Sequence, residues 1–160
     1  MSEDMAEETN YASILRSVPA SMFSDVLGAS TRKSRETYFA RHGIKAPKGP
    51  GFIKPGAKNA ARAESLREVL LEQDDQELAE EILRAYLLNQ RPMLAAALDY
   101  LEIEHVDGLT DSDEVERFQT LNGTELKALV AKLEPVASRD DIRLYLKYMG
   151  CDGGKVDAAA

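Results

Sequence analysis

Residues 74–101 read DDQELAEEILRAYLLNQRPMLAAALDYL, and this stretch decides the fold. Leu78, Ile82, Leu83, Tyr86 and Leu87 recur at intervals of three and four, so at about 100° per residue they cover roughly half the circumference of a helix. A half-buried strand needs strict alternation instead. Asp74-Asp-Gln-Glu77 is a variant of the capping box, in which an acidic side chain satisfies orphan amides, and it opens a helix over about Asp75 to Asn89. Arg91-Pro92 restarts the chain where proline is favoured, and Met93, Leu94, Ala97, Leu98, Tyr100 and Leu101 line the following helix. The connection is short, which makes the two helices antiparallel neighbours. The hairpin Asp75 to Leu101 is the expected core.

The same grammar extends in both directions. Downstream, Asp111-Ser-Asp-Glu114 opens a short helix carrying Val115 and Phe118. Asn122-Gly-Thr-Glu125 opens another with Leu126, Leu129, Val130 and Leu133, which Pro135 ends. Ser138-Arg-Asp-Asp141 opens the last helix, which runs to Met149 with Gly150 as its stop. Upstream, Ala63, Leu66, Val69 and Leu70 form one apolar stripe. Residues 44–57 hold three prolines and three glycines, a density that no regular element survives. Before them, a short helix from Ser30 or Thr31 to Gly43 carries Tyr38 and Phe39 on an otherwise basic surface. A stripe from Tyr11 to about Leu27 is interrupted by Pro19, which forces a kink or two short helices.

These elements define an all-α chain, an irregular multi-helix bundle with a flexible Pro/Gly/Lys-rich basic arm and frayed termini. The expected organisation is an acidic tail at 1–9, N-terminal helices at 10–43 packing on the main bundle, the basic arm at 44–57, the bundle at 58–150 and a disordered tail at 151–160. A chain of 160 residues buries enough surface for such a core without disulfides or metals. No apolar run approaches the roughly 18–20 residues of a membrane span. The acidic start (Glu3, Asp4, Glu7, Glu8) lacks the basic and apolar regions of a secretory signal, and the single cysteine, Cys151, cannot form an intrachain disulfide. Cytoplasmic residence is therefore expected.

The chain carries no legible catalytic residue, cofactor fingerprint or metal ligand set, so no enzyme and no small-molecule substrate is inferred. The acidic run Glu102, Glu104, His105, Asp107, Asp111, Asp113, Glu114 and Glu116 concentrates oxygen ligands. It fails the calcium-loop pattern, because Val115 and Glu116 stand where a ligand and a glycine are required; it reads as a solvated loop with helix-capping aspartates. His42 and His105 have no partner at ligand spacing, and His42 precedes the helix-stopping Gly43, where a cation suits the macrodipole. Cys151 follows a helix C-terminus, the wrong end for lowering a thiol pKa. Gly153-Gly154-Lys155 lacks the spacing and hydroxyl of a phosphate loop.

Charge is partitioned sharply. Residues 1–29 sum to −4, residues 30–62 to +8 with nine basic and one acidic side chain, and residues 63–160 to −12. Such a split speaks to partners rather than fold. The first candidate surface is this basic segment: Arg32, Lys33, Arg35, Arg41, Lys45, Lys48, Lys54, Lys58 and Arg62, interleaved with Tyr38, Phe39 and Phe52. The second is the last helix, where Arg139, Arg143 and Lys147 form a basic stripe, while Leu144 and Tyr148 lie about 200° and 240° from Ile142, away from the core face. Those two side chains are either buried by the N-terminal helices or exposed as an anchor. The leading expectation is a non-catalytic protein-interaction module, an adaptor or assembly factor, that binds another protein or a second copy of itself and no membrane. The alternative is a nucleic-acid-associated protein that grips phosphate backbone through residues 32–62.

Overall fold

Pro19 sets the first break. Val18, ahead of the proline, is driven to an extended conformation with ψ 134°, so the N-terminal stripe becomes α1 (Tyr11–Ser17) and α2 (Ala20–Gly28), with Pro19 as the N-cap of the second. The computed structural model describes residues 10–44, 55–110 and 116–160, except for the side chains of Ala20, Arg32, residues 55–61 and Leu71. Thr31 caps α3 (Arg32–Arg41) by accepting from the Ser34 amide at 3.1 Å. The fourth helix, α4 (Pro55–Glu72), begins inside the stretch expected to be an irregular arm. The reason is the one that places Arg91-Pro92: a proline at the first helical position loses no hydrogen bond. The rest of that arm, 45–54, lies outside the described residues, as does the expected tail at 1–9.

Two caps sit where sequence spacing put them and one is displaced, while the opening expected at Asp111-Ser-Asp-Glu114 lies outside the described residues. At α8 (Gly123–Leu133) the Asn122 side chain accepts from the Glu125 amide at 2.8 Å and Glu125 accepts from the Asn122 amide at 3.0 Å, a complete capping box. Ser138 caps α9 (Arg139–Tyr148). The cap of α5 (Gln76–Leu87) is Asp75, whose carboxylate accepts from the Leu78 amide at 3.2 Å; Asp74 instead turns the chain at φ 52°. Between them come α6 (Arg91–Tyr100) and the one-turn α7 (Glu116–Gln119). The fold is all-α, and among the described residues the only β pairing is an isolated bridge between Val106 and Leu109.

The chain divides into two compact units between Tyr86 and Leu87. In residues 10–86, α1, α2 and α3 pack on α4, and the core comprises Leu15, Phe23, Val26, Leu66, Leu70, Leu78, Ile82 and Leu83. In residues 87–160, α6 packs on α8, and Met93, Leu98, Phe118, Leu126, Leu129 and Ile142 are buried, with Phe118 edge-on to Tyr145 at 5.7 Å. The boundary falls within the expected hairpin and the expected 58–150 bundle. A short connection makes two helices close in sequence but does not choose which faces they bury. Here α4 supplies the face on which the first three helices pack.

The expected frayed tail is also replaced by structure. Residues Gly153–Ala159 form α10, which packs on α8 and α9. Seven residues beginning with two glycines cannot sustain a helix alone. Tertiary contacts hold it: Val156 is fully buried, Asp152 caps the Lys155 amide at 3.0 Å, and Lys147 pairs with Asp157 at 2.9 Å.

Candidate functional site

Among the described residues, the basic segment lines a concavity. Along α3, Lys33, Ser34, Thr37, Tyr38 and Arg41 face Leu78 and Glu81 of α5 across a half-open groove of about 200 Å³. Tyr38 and Leu78, both almost wholly buried, give the groove its apolar lining. Pockets that enclose small molecules run to roughly 300–1,000 Å³, so this notch suits a single inserted side chain better than a substrate. The Thr37 hydroxyl donates to the Lys33 carbonyl at 3.0 Å and the Thr31 hydroxyl to Ser34 at 3.0 Å, which leaves charge as the groove's main resource. Lys33 is exposed and, among the described residues, has no ion-pair partner.

The other described cations of the segment are committed within the chain. The Arg35 guanidinium donates to the carbonyls of Gly28 and Ser30 at 3.2 and 3.1 Å, finishing the end of α2. Arg41 and His42, at the end of α3, both meet Asp75, Arg41 at 3.0 and 3.2 Å and His42 through Nε2 at 2.9 Å. Asp75 thus joins the negative end of one helix dipole to the positive end of another. The expected role of His42 as a helix-ending group is what the geometry displays, with a carboxylate partner that sequence spacing could not reveal. Arg62 lies over the Phe39 ring at 4.1 Å and is paired with both oxygens of Glu36 at 3.0 and 2.9 Å. Its Nε finds no acceptor among the described residues. Lys45, Lys48, Phe52 and Lys54 lie outside the described residues, and so do the side chains of Arg32 and Lys58.

On α9, Arg143 donates to the Ala160 carbonyl at 3.0 Å and Lys147 pairs with Asp157, so both turn toward α10; Arg139 meets Glu134 at 3.6 Å. Leu144 is buried and Tyr148 half-buried. The stripe is an interface, and its observed occupant is the chain's own C-terminal helix.

The remaining chemical candidates resolve into packing. His105 contacts Asp99 through Nε2 at 2.7 Å and accepts the Gly108 amide at Nδ1 at 2.9 Å, closing the Asp107-Gly108 turn. Both ring nitrogens are thereby engaged, Nε2 by a carboxylate and Nδ1 by an amide donor, which leaves none for a ligand. Cys151 is buried and donates to the Phe118 carbonyl at 3.1 Å, and burial pushes its thiol up to about 12. That is the reverse of nucleophile activation. Among the described residues no three His, Cys, Asp or Glu side chains gather as a metal site, and no helix is long and apolar enough to cross a membrane. Compared with protein-family models, with curated proteins and with solved structures, the chain matches none.

Proposed function

We propose that this protein is a non-catalytic interaction module, an adaptor or assembly factor of the cytoplasm, that captures a protein partner through the α3 side of its basic segment. The observation that carries the reading is Lys33, an exposed cation at a side-chain-sized notch with an apolar lining. A carboxylate of the partner meets Lys33, an apolar side chain enters against Tyr38 and Leu78, and a donor faces Glu81. The pairing of Arg41 with Asp75 and of Arg62 with Glu36 supports this over phosphate-backbone binding, because a cation already neutralised internally releases few counterions from a nucleic acid.

Affinity capture from native lysate, with and without nuclease, tests the proposal. Capture that survives nuclease and weakens in Lys33→Glu is expected, and deletion of residues 46–56 separates the contribution of the arm. Capture abolished by nuclease, together with retardation of RNA or DNA that fades between low and moderate salt, overturns it in favour of nucleic acid.

A further inference from the structure

The α9 stripe shows what kind of ligand it takes. Arg143 holds a carbonyl at the C-terminal end of α10 and Lys147 holds Asp157, while Val156 inserts as the one large apolar side chain of the segment. We propose that α10 is a displaceable strap. It occupies in cis a docking groove of α8 and α9 whose partner in trans is a helix of the same chemistry: a Val-sized anchor, a basic residue directly before it, an acidic residue directly after it, and small residues beyond both.

Complementarity is the first argument. A helix C-terminus carries partial negative charge, and Arg143 and Lys147 are the cations that match it and the adjoining carboxylate. The second is the weakness of the occupant. Gly153 and Gly154 oppose helix formation in the first turn of α10. A longer partner helix brings the same contacts with further buried turns. The hinge, moreover, is defined. Gly150 at φ 91° and the Cys151 amide bonded to the Leu146 carbonyl at 3.0 Å close α9 in a Schellman turn, and the buried Cys151 side chain pins the chain there. Only Asp152 onward has to move. The strap and its groove lie within residues 87–160 and share no residue with the α3 groove.

Hydrogen exchange on the full chain is the first test. The amides of Val156 and Ala160, bonded within α10, are expected to exchange at least about 100-fold faster than the slowest amides of α8 and α9. Equal protection makes α10 part of the core and overturns the proposal. The second test uses a labelled peptide of residues 152–160 as probe. Tethering gives the cis strap a high effective concentration, so the peptide should bind full-length Val156→Asp at least about tenfold more tightly than wild type. Adding Lys147→Glu to that variant should remove the gain. Equal binding to wild type and Val156→Asp, or indifference to Lys147→Glu, refutes it.

Discussion

Arg62 shows how a single residue changes meaning between sequence and structure. In the sequence it is one of nine cations in a basic segment; in the fold it is almost wholly buried, stacked on Phe39 and forked onto Glu36. A lysine cannot reproduce the planar fork or the stacking. Arg62→Lys should therefore cost about 1–2 kcal/mol, kept modest because Glu36 is half exposed and solvent-screened. Urea midpoints measure it. Cys151 makes a prediction in pH. An unfolded thiol titrates near about 8.5, whereas the folded thiol holds its proton to about 12. Between those values the folded state retains a proton that the unfolded state has lost, so stability is present below about pH 8.5 and falls as pH rises. Tyr145 is shifted upward too, by burial first and by Cys151 second, and adds to the decline in the same direction. Denaturation at pH 7.5 and 10.5 should show the loss, and Cys151→Ala should reduce but not abolish it.

At the scale of elements, what was legible was local. The Asn122 box, the Ser138 cap, the break at Pro19 and the stop at Gly150 depend on residues within one turn of each other, and spacing alone reports them. What was hidden depends on distant partners. Asp75 replaces Asp74 as the α5 cap because its carboxylate also serves Arg41 and His42, more than thirty residues away. The helix α10 has no amphipathic signal because one valine suffices once α8 and α9 receive it. Two glycines separate conformational strain from crowding. Gly150 has φ 91°, but a methyl there meets the Gln119 side chain, whose flexible end can give way. Gly108 has φ 86° and a methyl there comes within 2.8 Å of Leu94 Cβ and 3.1 Å of backbone atoms of Ala95 and Arg91, which cannot. Gly108→Ala should cost about 2–4 kcal/mol and Gly150→Ala about 1–2 kcal/mol, the order being readable from thermal midpoints. Equal losses would mean that strain alone sets both.

At the scale of the whole molecule, the division at Tyr86 was illegible because a helix–loop–helix inside one core and a helix–loop–helix across a boundary have the same apolar arcs and the same short connection. The charge partition was legible, but its use was not. A count of nine cations reads as one surface, whereas the fold commits Arg35, Arg41 and Arg62 to contacts within the chain and leaves Lys33 as the groove cation with no ion-pair partner among the described residues. This assignment predicts a double dissociation. Arg62→Met removes a charge from the segment and should lower the urea midpoint while leaving partner capture at its wild-type level under conditions where the protein stays folded. Lys33→Glu changes an exposed side chain with no ion-pair partner among the described residues, so its effect on stability should stay within about 0.5 kcal/mol, while capture falls. Paired measurement of midpoint and capture for the two variants checks this. If both variants weaken capture in proportion to charge removed, the segment acts as a diffuse electrostatic patch, and the notch between α3 and α5 has no special part in recognition.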